Sequence, residues 1–340
     1  MAKAVKLADI AKQLNTSTVT VSKALSGQKG MSDELRAQIK QLAYDMGYES
    51  LSAKKNKTEI KSYNIGIVIS ERFLGQNESF YWLLYQELAK ESVFRGSFSL
   101  LEIVTKEDEN MATLPKLVKE NKIDGLIVTG VMKDEYLDMI SDEVAIPVVF
   151  TDFYDRKHKG DYVVTDNFYG SYQLTNYLLD MGHRDIAYVG TLHYTSSITD
   201  RYFGYMRALM ERGIEVEKDH IIDDRYMETG DRDNNFEFKF PKVMPTAFVC
   251  NCDLTADVVV QELEKLGYKV PEDISVVGFD NYVFNQASNV EFTTYEVDIK
   301  YMAKCSVDII INKISRQPYR SGYNVIPGKV IIKDSVKRLS

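Results

Sequence analysis

The 340-residue sequence has no run of about 18 apolar residues, the length a helix needs to cross a membrane. Its first residues, MAKAVKLADIAKQ, lack the apolar core of a signal peptide and lead directly into an amphipathic pattern. The three cysteines, Cys250, Cys252 and Cys305, are odd in number and lie in apolar segments, which argues against a disulfide framework. We therefore expect a soluble protein of the cytoplasm.

Common signatures of catalytic and metal sites are also missing. The sequence contains neither the G-x-G-x-x-G nor the G-x-x-x-x-G-K-[ST] phosphate loop. The four histidines never stand three or four residues apart or next to a Cys-x-x-Cys pair, so no zinc site is predicted. No base is identifiable beside Cys250 or Cys252 that would activate either thiol as a nucleophile. These absences predict a protein without catalytic activity, cofactor or metal.

Positive and negative charges are unevenly distributed along the chain. The net charge is −8, yet residues 1–61 contain 11 Lys and Arg against 6 Asp and Glu, a net charge of +5. The remaining residues therefore carry a net charge of −13. A small basic region joined to a large acidic one favours nucleic-acid binding by the basic part, although a solvated basic tail would have the same composition.

The stretch TVTVSKALS, residues 18–26, predicts a helix in spite of its four β-branched residues. On a helical wheel one face gathers Val21, Ala24 and Leu25, whereas a strand would lose its alternation at Ser22. A β-branched residue costs only a few tenths of a kcal/mol in a helix. We expect the packing of Val21 to offset that cost.

A second helix at 7–14 precedes this one, and together they predict a helix-turn-helix. Asn15 suits the left-handed turn between them, and Ser17 suits the N-cap of the helix that follows. A third helix is predicted after Ser32, with an inner stripe of apolar residues that covers the other two helices: Leu35, Ile39, Leu42 and Met46.

Residues 5–50 resemble the DNA-binding head of the lactose/galactose-repressor (LacI/GalR) family. The family's short helix, its V-S-x-x-T-V-S segment and its third helix ending in G-Y recur here as NTSTVTVSKALSG and DMGY. The resemblance implies that the second helix enters the major groove, where Thr18, Val19 and Lys23 face the bases, and it places four residues near phosphates: Lys6, Ser17, Ser22 and Ser32. A surface valine without a role remains the alternative for Val19.

The segment 51–62 departs from the family pattern. Members usually continue with a Pro-Asn-x-x-Ala-Arg-x-Leu hinge helix, whose leucine wedges into the minor groove. Here Lys54 and Lys55 stand at the Ala-Arg positions and Lys57 at the leucine position, and a lysine cannot unstack a base step as an apolar wedge does. Either this hinge binds DNA by charge alone or it is an ordinary linker.

From residue 63 onward, short apolar runs alternate with helical patterns, which indicates parallel α/β sheets with buried strands. Strands are predicted at 63–70, 97–104, 124–129, 146–152, 161–165, 185–190, 246–251 and 274–279. Helices are predicted near 79–95, 110–121, 133–142, 168–181, 200–212 and 254–267. So many strands favour two similar lobes over one small sheet.

This body resembles the same family over nearly its whole length. Among the matching segments are V-x-x-D-N-F-Y-G at 163–170, MGHRDIAYVG at 181–190 and GYKVPEDISVVGFDN at 267–281. The resemblance implies an α/β protein with a three-helix head and a body like a periplasmic sugar-binding protein, built from two parallel doubly wound sheets.

The resemblance also implies the domain boundaries. The head covers 1–50, a hinge or linker covers 51–62, and the body for effector binding and dimerisation covers 63–340. The first lobe of the body is expected at about 63–162 and 294–321, and the second lobe at about 163–293 and 322–340.

In doubly wound sheets, ligands bind at the carboxyl ends of the strands. The strand-end candidates are Ser70, Thr129, Asp152, the three residues Asn251, Cys252 and Asp253, and Asp280. The resemblance adds Arg201, at the start of its helix, as a residue that faces the cleft. A guanidinium and carboxylates suit a hydroxyl-rich ligand, because adjacent hydroxyls both donate and accept hydrogen bonds. Asp253 and Asp280 have the alternative role of capping helices.

Two positions depart from the sugar-binding pattern of the family. Cys252 stands where an Asn often contacts the ligand. Arg225 stands where many members place an aromatic ring that stacks on the sugar, unless Tyr226 takes that place. A second arginine in the cleft leaves open an anionic ligand, such as a sugar phosphate or a uronate, beside a neutral sugar.

These features predict a ligand-responsive transcription regulator, a repressor of a carbohydrate-utilisation operon. A homodimer would bind palindromic double-stranded operator DNA at the nucleoid, away from any membrane, and a sugar or sugar derivative between the lobes would change the spacing of the heads. The competing interpretation is a cytoplasmic sugar-binding protein with a vestigial DNA-binding head.

Overall fold

The computed structural model of the protein describes residues 6–25, 31–46, 61–74, 79–227, 230, 236–282 and 286–339. The chain divides into two compact units, Met1–Lys61 and Ser62–Ser340, called the head and the body below. Across these described ranges, no helix is both long enough and apolar enough to cross a membrane.

The head contains the three predicted helices: α1 (Leu7–Gln13), α2 (Thr18–Leu25) and α3 (Asp33–Asp45). Asn15 has a φ of 46° in the turn between α1 and α2, as predicted for the left-handed position. Ser17 accepts a hydrogen bond at its Oγ from the backbone N–H of Thr20 at 3.0 Å and so caps α2. The helices bury a small core: Ile10, Ala11, Val21, Ala24, Ile39 and Ala43.

The first lobe of the body is built on a six-stranded sheet in which all neighbouring strands are parallel. Its strands are β1 (Asn64–Ser70), β2 (Phe98–Val104), β3 (Gly125–Thr129), β4 (Val148–Thr151), β5 (Tyr162–Thr165) and β11 (Tyr323–Ile326), in the order β11-β5-β4-β3-β1-β2. Its helices are α4 (Glu71–Leu74), α5 (Phe80–Phe94), α6 (Lys106–Asn110), α7 (Lys116–Lys119), α8 (Asp134–Glu143) and α12 (Ile299–Ser315).

The second lobe is built on a four-stranded parallel sheet. Its strands are β6 (Ile186–Val189), β7 (Ile221–Ile222), β8 (Ala247–Cys250) and β9 (Ser275–Val277), in the order β7-β6-β8-β9, and its helices are α9 (Asn167–Asp180), α10 (Ser196–Glu211) and α11 (Asp253–Lys265). The helices α9 and α10 pack closely, because a Cβ on Gly204 would lie 2.1 Å from the carbonyl oxygen of Phe168. The predicted α/β fold with two parallel sheets is confirmed.

The prediction of a single helix at 110–121 is wrong. The helix α6 ends at Asn110, and α7 begins only at Lys116. Between them Ala112 has a φ of 48°, and Pro115, which has no backbone N–H, precedes α7. The predicted elements also omitted α12 and the short strands β7, β10 (Thr294–Glu296) and β11. The strand β10 forms an antiparallel pair with β12 (Lys329–Ile331), which lies in the strand-like stretch KVIIK.

Three chain segments connect the lobes, each slightly later in the sequence than expected. The strand β5 belongs to the first sheet, so the chain enters the second lobe after Thr165 rather than at 163. The second crossing lies between Glu296 in β10 and Ile299 in α12, which packs against β3 and β4. The third lies after Ile326 in β11 rather than at 322.

Candidate functional site

The outer face of α2 presents the residues expected to face DNA bases. Thr18, Val19, Ser22 and Lys23 are exposed, whereas Val21 on the opposite side of the helix is fully buried. Val19 is 61% exposed, which is a large fraction for an apolar side chain. Short side chains of this kind contact base edges, including thymine methyl groups, in major-groove recognition.

The remaining head residues predicted to contact DNA lie where helices begin. Lys6 is exposed and precedes α1, and its backbone N–H donates to Asp9 Oδ2 at 2.7 Å. Ser32 is exposed before α3, and its Oγ accepts from the backbone N–H of Leu35 at 3.3 Å. The three lysines of the predicted hinge lie outside the described residues: Lys54, Lys55 and Lys57.

Two predicted ligand residues at strand ends of the first lobe are buried hydroxyls. Ser70 donates from its Oγ to Glu109 Oε2 at 2.9 Å, and the other oxygen of that carboxylate accepts from the backbone N–H of Lys133 at 2.7 Å. Ser70 therefore ties β1 to α6. Thr129, at the end of β3, has a buried Oγ1 without a hydrogen-bond partner among the described residues.

Asp152 is the carboxylate of the first lobe that faces the second lobe. It follows β4 with a φ of 68°, and the hydroxyl of Tyr81 in α5 donates to its Oδ2 at 2.8 Å. Burial raises the pKa of Asp152 to about 7, the Tyr81 hydrogen bond and the charge of Arg201 oppose that rise, and the charge of Asp280 adds to it. Near neutral pH this carboxyl therefore populates both protonation states.

Arg201, in α10, is held on all sides of its guanidinium. Its Nε donates to Asn167 Oδ1 at 2.8 Å, its Nη1 donates to the carbonyl oxygen of Asn251, and its Nη2 donates to Asp280 Oδ1 at 3.2 Å. The guanidinium lies 3.7 Å from the centre of the Phe279 ring. Arg201 is therefore a fixed cation at the edge of the second sheet.

Neither Asp253 nor Asp280 caps a helix, the alternative role that the sequence left open for them. Asp253 opens α11, but its Oδ2 accepts from the backbone N–H of Tyr282 at 2.9 Å instead of from its own helix. Asp280 has a φ of 98°, and its Oδ1 accepts from Arg201. Burial raises the pKa of both carboxyls, and the charges of Arg201 and Arg225 oppose the rise at Asp280.

Arg225 is paired with the residue before it. Its Nε donates to Asp224 Oδ1 at 3.1 Å and its Nη2 to Asp224 Oδ2 at 2.7 Å. The fully buried Asp224 carboxylate also accepts from Asn251 Nδ2 and from Thr255 Oγ1, each at 2.8 Å. The guanidinium of Arg225 lies 5.4 Å from the centre of the Tyr194 ring.

The structure also shows the surroundings of Cys252 and Tyr226, the other residues at which the sequence departs from the sugar-binding pattern of the family. Cys252 is partly exposed just before α11, with its Sγ 3.3 Å from Thr255 Oγ1. Tyr226 packs its ring edge-to-face against Phe236, with 5.1 Å between the ring centres. The charge of Arg225, in contrast, opposes the rise that burial causes in the pKa of Asp280.

Across the lobes, the charges of Arg201 and Asp280 thus act on Asp152, and the charge of Arg225 acts on Asp280, while Ser70 is engaged within its own lobe. Reasoning from the sequence missed three residues that hold these groups in place, Tyr81, Asn167 and Asp224, whereas Asn251 was among the strand-end candidates. The only signal available for Asp224 was its position next to Arg225.

Comparisons with known proteins agree with this architecture. The family profile for the periplasmic binding protein-like domain matches residues 175–336. The repressor PurR of Glaesserella parasuis is 24% identical over 98% of this chain and 98% of its own length, and that of Erwinia tasmaniensis is 28% identical over 90% and 89%.

Solved structures share the fold. A transcriptional regulator CelR–cellobiose complex has a TM-score of 0.67 at 20% identity and covers 97% of this chain and 99% of its own. The lac repressor dimer bound to operator and the anti-inducer ONPF has a TM-score of 0.65 at 18% identity, covering 98% and 100%. Transcriptional repressors of this kind are not enzymes, in agreement with the prediction from the sequence. The head, the two-lobed body and the matches along the whole chain together support a transcriptional regulator of the LacI/GalR family.

Proposed function

We propose that the protein represses transcription as a homodimer on a palindromic operator and responds to a neutral, hydroxyl-rich effector, a sugar or sugar derivative, between its lobes. The observation that carries the effector class is the pairing of both cleft arginines. Arg201 is bonded to Asp280 and Arg225 to Asp224. The charge of each guanidinium is therefore already balanced within the protein, and the site needs no anionic ligand for that purpose.

The remaining polar groups also suit a neutral ligand. Asp152 supplies a carboxyl that is partly protonated near neutral pH, so it can donate to or accept from a hydroxyl. A ligand phosphate would add negative charge beside Asp152 and Asp280, whereas both guanidiniums are already paired. A structural relative described as a complex with cellobiose supports the same class of ligand.

Exposed apolar side chains support the homodimer. The C-terminal end of α5 and the strand β2, at the edge of the first sheet, expose four of them: Val93, Phe94, Phe98 and Ile103. Exposed apolar groups clustered on one lobe are typical of surfaces that pair with another chain. A two-fold dimer would present two copies of α2 to two half-sites of one operator.

A ligand screen on the full chain tests the effector class. Neutral sugars, sugar phosphates and purine bases are compared by thermal shift, because a ligand that binds only the native state raises its melting temperature. A stabilising neutral sugar that also changes binding to the DNA upstream of the protein's own gene is the expected result. Stabilisation only by sugar phosphates, or only by purine bases, would contradict the proposed class.

A further inference from the structure

The two lobes of the body are joined by a direct hydrogen bond between Tyr154 and Asp200. Tyr154 lies in the loop between β4 and β5 of the first lobe, and Asp200 lies in α10 of the second. The Tyr154 hydroxyl donates to Asp200 Oδ1 at 2.8 Å, and the Tyr154 backbone N–H lies 3.5 Å from Ser196 Oγ. Both contacts reach the first turn and a half of α10.

Each partner in this bond is next to a residue of the candidate effector site. Tyr154 comes two residues after Asp152, and Asp200 directly precedes Arg201. Any movement that separates the lobes at this edge therefore breaks the bond and also separates Asp152 from Arg201. The bond lies beside the candidate effector site, so opening or closure of the lobes changes the bond and the site together.

The loop that carries Tyr154 is fixed to the first lobe. His158 is buried in the loop, with its Nε2 2.7 Å from Asp138 Oδ1 of α8 and its Nδ1 bonded to Asp155. The Tyr154 ring packs edge-to-face on Tyr323 of β11, with 5.3 Å between the ring centres. A hydrogen-bonding group that is already held in place loses little conformational entropy when it binds its partner.

We propose that the Tyr154–Asp200 bond holds the lobes together without effector and so sets the equilibrium between open and closed bodies. The bond increases the fraction of protein molecules that are closed before the ligand arrives. A ligand that binds only the closed body therefore has a higher apparent affinity. Tyr154 and Asp200 are thus positioning residues. The regulatory meaning of this bond rests on the proposed function, but the bond's effect on closure does not.

Replacing Tyr154 by Phe removes only the hydroxyl, and Tyr172→Phe is a matched control. Tyr172 also donates from its hydroxyl to a carboxylate of α10, Glu211 Oε2 at 2.6 Å, but that bond lies within the second lobe. Small-angle scattering of the effector-free full chain is expected to show a larger radius of gyration for Tyr154→Phe and no change for Tyr172→Phe. An unchanged radius for Tyr154→Phe would overturn the proposal.

Hydrogen exchange separates opening of the cleft from a local defect. In Tyr154→Phe, peptides covering Cys252–Asp253 and Asp280–Asn281, which lie outside the loop and the helix that form the bond, are expected to exchange roughly threefold to tenfold faster, the range for loss of one hydrogen bond. Faster exchange confined to peptides around Tyr154 and Asp200 would overturn it. Asp200→Asn, which keeps an oxygen acceptor, is expected to show a smaller effect than Tyr154→Phe. Both measurements omit effector and DNA, so they remain informative if the proposed function fails.

Discussion

The guanidinium of Arg225 is bonded through two nitrogens to the two oxygens of Asp224, the residue just before it in the chain. Asp224 is fully buried and also holds Asn251, whose carbonyl oxygen accepts from Arg201. One carboxylate therefore neutralises one cleft arginine and helps to position the other. A buried carboxylate with this many donors is costly to remove, which makes isosteric substitution the appropriate test.

Lys23→Ala is expected to weaken operator binding by about 1–3 kcal/mol, because Lys23 is exposed on the outer face of α2. Effector binding to the body should be unchanged. Gel shifts measure the effect, with Lys40→Ala as the control, since Lys40 is an exposed lysine of α3. Equal losses for the two variants would assign Lys23 a general charge effect rather than base recognition.

Light scattering is expected to give a mass of two chains of 38.9 kDa at micromolar concentration. The double substitution Phe94→Asp, Phe98→Asp places charges on the apolar end of α5 and the edge strand β2, and it should yield monomers with weaker operator binding. Phe203→Asp, at a half-exposed position of α10, is the control and should leave the dimer intact. A mass of four chains, or a dimeric double variant, would contradict this arrangement.

The hinge lysines give a prediction that depends on the sequence alone. If Lys54, Lys55 and Lys57 contact phosphates, replacing all three by Ala reduces the slope of log K against log salt by about 0.9 for each contact, up to about 2.7 per subunit. The slope is measured by operator titrations at several salt concentrations. An unchanged slope means that the segment is a passive linker.

The sequence was most informative where local pattern and tertiary packing agree. The TVTV stretch forms a helix because burial of Val21 and Ala24 outweighs its strand preference, and the helical wheel already separates these residues from exposed Val19. The helix at 299–315 has the same kind of apolar spacing, at Ile299, Met302, Ala303 and beyond, yet was not among the predicted helices. Periodicity alone predicts the helix at 18–26, and the same criterion applied to 299–315 predicts that helix too.

The partners within the cleft could not be derived in this way. The strand-end rule identified Asp152 and Asp280, but nothing local indicates that Tyr81, 71 residues before Asp152, donates to it. The pairing of Arg225 likewise depends on the fold of the loop after β7, where Asp224 also receives a hydrogen bond from the backbone N–H of Thr191, 33 residues earlier. Such contacts are set by long-range packing and not by spacing in the sequence.

The raised pKa of Asp152 predicts a specific pH dependence of stability. Between about pH 4, near the pKa of an unfolded aspartate, and about pH 7, the folded protein keeps this proton and the unfolded chain loses it. The free energy of unfolding from this group therefore falls as pH rises, by up to about 1.4 kcal/mol per pH unit. Asp152→Asn removes this contribution, so the difference in the free energy of unfolding between wild type and variant should change across this pH window. A constant difference would show that Asp152 titrates normally.

The last prediction concerns whether the cleft prefers a neutral sugar or its phosphate. Arg201→Ala should abolish the response to any ligand of the site, since Arg201 is bonded to Asn167, Asn251 and Asp280 and organises the edge of the second sheet. Asp224→Asn keeps an oxygen acceptor of the same shape but leaves the charge of Arg225 uncompensated. We expect this variant to gain affinity for a sugar phosphate relative to the parent sugar, because an unpaired guanidinium binds phosphate with two hydrogen bonds.

Calorimetry on the full chain measures both ligands against wild type, Asp224→Asn and Arg225→Ala. If the effector is neutral, wild type binds the parent sugar better than its phosphate, and Arg225→Ala weakens both to a similar extent because Arg225 then contributes hydrogen bonds but no net charge. Asp224→Asn alone should shift the ratio toward the phosphate. If Arg225→Ala instead loses much more affinity for the phosphate than for the sugar, Arg225 binds an anionic group in spite of its pairing with Asp224. The proposal of a neutral effector would then be wrong.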